Sequence, residues 1–216
     1  MTSSQALTNP KINILYVDII PGFTPGFFLI LYNITTLPYC FMEGEDIREV
    51  FVDKLELKED LYFKKGDDVP FTGRTLYYFE NDQMAEEINF RKGLRHGKVK
   101  MWNEKGIPIV EADFINGEKH GQIILWYDDG QKRSVVNLKK NKREGESKIW
   151  YKNGAIKLKA NYKNDMLHGT QMKYFPNGKV KIKVDYSENL EDGVKTIWKE
   201  NGEVLFEGRF KKGELI

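Results

Sequence analysis

Residues 162–185 read YKNDMLHGTQMKYFPNGKVKIKVD, and the fold can be predicted from this segment. Its last part, Val180–Val184, alternates apolar and charged residues, as a strand with one buried face does. Its middle, Phe175-Pro176-Asn177-Gly178, places Pro, Asn and Gly where a type I turn closed by a glycine of positive φ needs them. The stretch therefore predicts a β-hairpin with a three-residue loop.

The same pattern recurs every 24 residues, and an earlier copy begins with Phe63 and continues through Gly73 and Tyr78, with three extra residues before its glycine. Four kinds of position recur in register: a ring or leucine, a glycine, a second ring and a second glycine. They are, in that order, Phe90, Phe114, Leu138, Tyr162, Tyr186 and Phe210; Gly97, Gly121, Gly145, Gly169 and Gly193; Trp102, Trp126, Trp150, Tyr174 and Trp198; Gly106, Gly130, Gly154, Gly178 and Gly202. Such internal similarity is typical of repeat proteins. We expect an all-β fold, an elongated and twisted antiparallel meander of 24-residue hairpin repeats.

The predicted turn also sets the register of each hairpin and therefore its two faces. It places three pairs of residues opposite each other: Trp102 and Pro108, Trp150 and Ile156, Trp198 and Val204. One face then collects the rings and branched aliphatics and forms the core. The other face collects Asn, Asp, Glu and Lys and is exposed to solvent.

Counting alternate residues from the tryptophans places an apolar cluster on the polar face. Its members are Met101, Ile109, Leu125, Tyr127, Ile149 and Tyr151. Apolar side chains grouped on a charged face are what a protein partner would cover, so we predict a partner-binding surface here. The alternative is that the N-terminal segment or sheet curvature already covers them.

A basic patch is predicted on the same polar face, in two neighbouring repeats. Its members are Lys157, Lys159, Lys179, Lys181 and Lys183. A phosphate-rich or acidic partner would be drawn to five like charges on one piece of sheet. The alternative is that these lysines keep the sheet soluble and block edge pairing.

Residues 114–121 (FINGEKHG) and 162–169 (YKNDMLHG), each followed by a ring and then by Asp-Asp-Gly or Pro-Asn-Gly, resemble MORN repeats of the bacterial variant class. Residues 61–73 (LYFKKGDDVPFTG) resemble the opening of YwqK-like antitoxins. The resemblance covers about residues 55–216. It implies a MORN-like β-repeat domain that contacts other proteins, with toxin neutralisation as the associated role.

The N-terminal segment, residues 1–43, differs from the rest of the chain. Between Ile12 and Met42 the only charged residue is Asp18, whereas the sequence after Glu43 is dense in Lys and Glu. This contrast predicts a boundary between residues 1–43 and a β-repeat domain at residues 44–216. We leave two interpretations open, a leader and an apolar segment packed on the fold. A leader would place the protein in the cell envelope or outside the cell; otherwise we expect it in the cytoplasm.

Composition restricts the function further. With 34 basic and 32 acidic residues the net charge is +2, too small to argue for nucleic acid, and we expect none as a partner. The single cysteine, Cys40, cannot form an internal disulfide or a cysteine-rich metal site. A membrane surface stays open as an alternative partner through the basic patch, and the sequence does not determine the oligomeric state.

No group of residues suggests catalysis, so we expect a protein without enzymatic activity, metal or cofactor. The three histidines, His96, His120 and His168, each precede a repeat glycine. Equivalent positions in neighbouring hairpins lie about 10 Å apart, too far for one zinc ion, so we interpret them as turn residues. The tryptophan column resembles a stacking ladder, but the predicted register favours a place in the core.

Overall fold

The computed structural model describes residues 48–216, which form an all-β fold with no α-helix among them. The predictions for residues 1–43 and for the boundary at residue 43 lie outside this range. A 3-10 turn spans Val52–Lys54. The strands are β1 Glu49–Phe51, β2 Leu55–Lys58, β3 Leu61–Lys64, β4 Gly73–Tyr78, β5 Met84–Arg91, β6 Leu94–Trp102, β7 Pro108–Ile115, β8 Glu118–Trp126, β9 Lys132–Lys139, β10 Lys142–Trp150, β11 Ile156–Lys163, β12 Met166–Leu167, β13 Gly169–Tyr174, β14 Val180–Ser187, β15 Leu190–Trp198, β16 Val204–Lys211 and β17 Glu214–Leu215.

One 15-stranded sheet contains all of these strands except β2 and β3, which form a separate two-stranded sheet. From β4 to β17 each strand pairs antiparallel with the next one in sequence, except that β12 pairs with β11 alone and β13 therefore follows β11 in the sheet. The short strand β1 pairs parallel with β4. The prediction of an all-β antiparallel meander of successive hairpins is therefore confirmed.

Two kinds of turn alternate along the sheet. The first is the predicted three-residue loop, in which Gly106 N–H donates to the Asn103 carbonyl at 2.8 Å and Gly106 has a φ of 73°. The second is a two-residue turn such as Asn116-Gly117, whose φ angles of 49° and 82° are both positive, as a type I′ turn requires. We call the edge of the sheet with the first kind the loop edge and the other the turn edge.

The core lies along one face of the sheet, which we call the apolar face. In the middle strands it is built from cross-strand neighbours: Val99 stands opposite Ala112, and Ala112 opposite Ile123. All three side chains are buried, and Phe114 is buried beside them. Tyr62 and Phe71 extend this cluster through edge-on contacts with Phe90, at ring centroid distances of 5.0 and 5.8 Å. The opposite face, which carries most of the charged residues, is the polar face.

Burial is uneven along the array. One row of cross-strand neighbours runs along the apolar face through all repeats. Its buried residues are apolar from Ile88 to Ile123, but in later repeats they include the polar residues Ser147 and Gln171. In the last repeat the apolar residues Leu190, Val204 and Leu205 are exposed. No helix within residues 48–216 is long and apolar enough to span a membrane.

Candidate binding surface

Each hairpin carries a β-bulge next to its three-residue loop. The predicted pairs Trp102–Pro108, Trp150–Ile156 and Trp198–Val204 are all present. One step further from the loop, however, Met101 stands opposite Val110. Ile109 is therefore an extra residue in the strand after the loop, and it shifts the pairing by one, so that Met101 rather than Lys100 shares a face with Val110.

The predicted placement of the apolar cluster on the polar face is wrong, and the bulge is the reason. Met101 and Leu125 are only 2% and 9% exposed, and both lie on the apolar face, opposite Val110. Ile149 stands opposite Leu158 on the same face. Met101 and Leu125 are buried and belong to the core, whereas Ile149 is half-buried on the same face.

The other members of that cluster also fail to form an exposed apolar surface. Tyr127 and Tyr151 are half-buried and donate their hydroxyl groups to the carbonyls of Trp150 and Tyr174, at 2.8 and 2.7 Å. Each tyrosine thus links its repeat to the next one. Ile109 is the bulge residue of its hairpin and is half-buried.

The tryptophan column borders the core at the loop edge. Trp102, Trp126, Trp150 and Trp198 are all half-buried, so the rings are neither sealed in the core nor free in water. Trp102 and Trp126 flank a shallow cavity of about 170 Å³ together with Met101 and Val110. The prediction that these rings fill the core is correct only in part.

The histidine column connects successive hairpins through hydrogen bonds to the turns. His96 Nδ1 accepts a hydrogen bond from the Asn116 N–H at 3.4 Å. In the same column Glu144 Oε2 accepts one from Asn164 N–H at 2.8 Å, and Thr72 Oγ1 accepts one from Lys92 N–H at 2.9 Å. Three members of the column, His96, Glu144 and Thr72, therefore accept a hydrogen bond from the next turn. Within the described part of the chain no three His, Cys, Asp or Glu side chains gather as a metal site.

The bulge gives each repeat one extra side chain near the loop edge of the sheet. The residues at this position are Ala85, Ile109, Arg133, Lys157, Lys181 and Leu205. Lys157 and Lys181 are exposed, as is Leu205 at the end of the column. The column is therefore basic in the middle and apolar at its two ends.

Four of the five predicted basic residues come together as two columns, which we call the lysine patch: Lys157, Lys159, Lys181 and Lys183. Lys159 and Lys183 both stand opposite Met172 of β13, so this half-buried methionine lies between them. Lys157 and Lys181 are the bulge residues of β11 and β14. The fifth lysine, Lys179, lies in the loop, where its Nζ donates to the Glu200 carbonyl at 3.2 Å.

Aromatic rings support the two bulge lysines. Lys157 Nζ lies 5.5 Å from the centroid of the Tyr151 ring, and Lys181 Nζ lies 5.4 Å from that of Phe175. These are cation–π distances, and the same geometry occurs in two successive repeats. The ring contacts restrict where the ammonium groups lie without neutralising them.

No lysine of the patch has an acidic partner among the described residues, although some lysines elsewhere on the sheet do. Lys148 pairs with Glu146 at 2.5 Å, Lys98 with Asp113 at 3.1 Å, and Lys195 with Glu191 at 2.6 Å. Among residues 48–216 no ion pair is formed by any of the four patch lysines. The patch therefore presents four uncompensated positive charges on an open sheet surface.

Sequence reasoning missed the contacts that join successive turns at the turn edge. The Asn141 N–H donates to the Lys119 carbonyl at 3.0 Å, and Asn141 Oδ1 accepts from the Lys119 N–H at 2.8 Å. Asp165 makes the same two contacts with Arg143. The signal was present in the sequence, because Asn, Asp or Gly recurs at this position in every repeat and favours type I′ turns.

A family model describes three segments of this array. Residues 71–92, 143–164 and 167–188 match the MORN repeat variant model. These three segments are similar to MORN repeat variants. Each matched segment begins two residues before a glycine, such as Gly145 or Gly169, and ends on the first residue of a type I′ turn. Each matched segment is therefore one hairpin around a three-residue loop. No curated protein matches the chain, and the resemblance to antitoxins stays a prediction.

Proposed function

We propose that this protein is a non-catalytic MORN repeat scaffold that binds an acidic protein partner at the lysine patch. The observation that carries the proposal is the alignment of four lysines in two columns on one piece of sheet, with no acidic partner for any of them among the described residues. Uncompensated like charges repel one another, and a partner that supplies carboxylates relieves this repulsion. Met101 and Leu125 are buried and do not belong to this surface.

The position of the patch supports a role in binding a partner rather than in preventing aggregation at a sheet edge. Lysines that prevent aggregation act on edge strands, where backbone groups are unpaired. The patch lysines lie on β11 and β14, and each of these strands has paired neighbours on both sides. A role in solubility alone would not require the four lysines to align in two columns. Nor would it require Lys157 and Lys181 to lie over aromatic rings.

Charge reversal tests the proposal. The double variant Lys157→Glu/Lys181→Glu should lose the proteins that the full chain recovers from lysate of its native cell. The matched control Lys139→Glu/Lys142→Glu reverses two exposed lysines near the turn edge and should retain them. Recovery of the same proteins by both variants would contradict the proposal. The recovered partner should be acidic and should dissociate at high salt, because surface attraction is screened within about 10 Å at 0.1 M salt.

Toxin neutralisation is one form of such binding. It requires that the recovered partner be a toxin and that complex formation reduce its activity. Measuring the partner's activity with the full chain and with the Lys157→Glu/Lys181→Glu variant would test this role directly.

An anionic membrane surface is the second candidate, favoured by the same four unpaired charges, of which those of Lys157, Lys181 and Lys183 are exposed. Binding of about 1 kcal/mol for each lysine near an anionic bilayer would make flotation with phosphatidylserine vesicles strong at low salt and weak at high salt. No flotation at either salt concentration would remove this candidate.

A further inference from the structure

We propose that the lysine patch docks an amphipathic α-helix lying across the strands, with acidic residues seven positions apart facing Lys157 and Lys181. The inference rests on the proposed function and specifies the shape and charge pattern of the partner. It follows from three features of the patch: its period, its width and its apolar centre.

The period of the patch matches two turns of an α-helix. Lys157 and Lys181 occupy equivalent positions in successive repeats, two strand spacings or about 9.6 Å apart. Seven residues of α-helix rise about 10.5 Å and return nearly to the same side of the helix. In an extended strand, the side chains on one side repeat every second residue, at distances of about 6.7 Å and about 13.4 Å. Neither distance matches the spacing of about 9.6 Å between the two lysines.

The width of the patch also favours a helix. Lys159 and Lys183 form a second column, two residues away along the same strands, with the same period as the first. A helix with its side chains is about 10–12 Å across and covers both columns. A polyproline segment, which advances about 9.3 Å for each three-residue turn, matches the period but presents one residue per turn to one column.

The centre of the patch is apolar. Met172 stands opposite both Lys159 and Lys183, and methionine adapts its shape to many apolar partners. An amphipathic helix would place an aliphatic residue over Met172 between its flanking acids. Tyr151 and Phe175 already contact Lys157 and Lys181, so these rings are poorly placed to stack on the bases of a single-stranded nucleic acid.

Two synthetic peptides and the full chain test this geometry. The first is a helical peptide with glutamates seven residues apart, flanking a strip of leucines. The second has the same composition but glutamates five residues apart, which turns successive acids about 140° around the helix. Fluorescence anisotropy should show that the first peptide binds about tenfold more tightly or better. Equal affinity for the two peptides would overturn the helical register.

Variants of the chain locate the binding site. Lys157→Glu/Lys181→Glu should weaken binding of the first peptide by about tenfold or more, and Lys139→Glu/Lys142→Glu by less than about twofold. Circular dichroism of both variants checks that the sheet is intact. An unchanged affinity in Lys157→Glu/Lys181→Glu would overturn the docking site. So would displacement of the peptide by phosphatidylserine vesicles or a single-stranded oligonucleotide that binds the patch more tightly than the peptide.

The two proposals fail in distinguishable ways. If the native partner depends on the lysine patch but neither peptide binds, the helix is wrong and the protein-binding scaffold stands. If recovery of the partner is insensitive to Lys157→Glu/Lys181→Glu, the proposed function itself is wrong, whatever the peptides do.

Discussion

The register of the strands determines whether a leucine of this sheet is buried or exposed, as Leu125 shows. It is 9% exposed on the apolar face, whereas Leu205 is 63% exposed at a bulge. Leu125→Ala should lower the free energy of unfolding by roughly 2–5 kcal/mol, because it removes packed methyl groups and leaves a cavity. Leu205→Ala, the matched control, should change it by less than about 0.5 kcal/mol. Urea denaturation of both variants measures the difference, and similar values would contradict the bulge register.

Glu86 places a carboxyl group on the apolar face, between Tyr77 and Met101. Burial raises its pKa above the ordinary 4.5, and the nearby Arg95 charge partly opposes this rise. The folded state therefore holds a proton that the unfolded state has lost, so stability falls as the pH rises from 4.5 through the raised pKa.

Glu86→Gln removes this pH dependence. The variant should be more stable than the parent protein near neutral pH, and the gain should disappear below pH 4.5, where the carboxyl is protonated in both states. Urea denaturation across this pH range measures the gain, with the exposed Glu118→Gln as a control. A gain of equal size at low pH would show that burial of charge is not its cause.

At the scale of the hairpin, the loop was predictable and the bulge beside it was not. Asn177-Gly178 specify the loop because they tolerate the backbone angles it needs, and the pairs at its base follow from its length. The bulge position has no characteristic residue type, because it is occupied by Ile109, Lys157 or Leu205 in different repeats. Counting alternate residues past the bulge therefore assigned the wrong face to Met101 and Leu125.

The turn edge makes its own contribution to stability, through contacts between successive repeats. Asn141→Gly keeps the positive φ of 65° accessible but removes the side chain that accepts a hydrogen bond from the Lys119 N–H. The expected loss is about 1 kcal/mol in the free energy of unfolding. Asn116→Gly, in the preceding turn, is the matched control for added backbone freedom. Equal losses in the two variants would show that the side-chain contact contributes nothing.

At the scale of the whole array, stability should follow the uneven burial of the apolar face. In a repeat protein each unit contacts only its neighbours, so local opening reflects local packing. The strands β6 to β8 contain Val99, Ala112 and Ile123, all buried, whereas β16 exposes Val204 and Leu205. Amide hydrogen exchange should therefore be slowest in β6 to β8 and fastest in β16 and β17. Uniform protection along the sheet would contradict this expectation.

The sequence by itself determined the repeat unit, the antiparallel order of its strands and the loop-edge pairs such as Trp150–Ile156. These features depend on local turn chemistry and on alternation, both of which are written in neighbouring residues. Only the tertiary structure decided which face each strand before a loop presents, because a bulge shifts cross-strand pairing by one residue without changing composition. It also decided that the lysine patch lacks acidic partners, since ion pairs form between side chains brought together by pairing across strands.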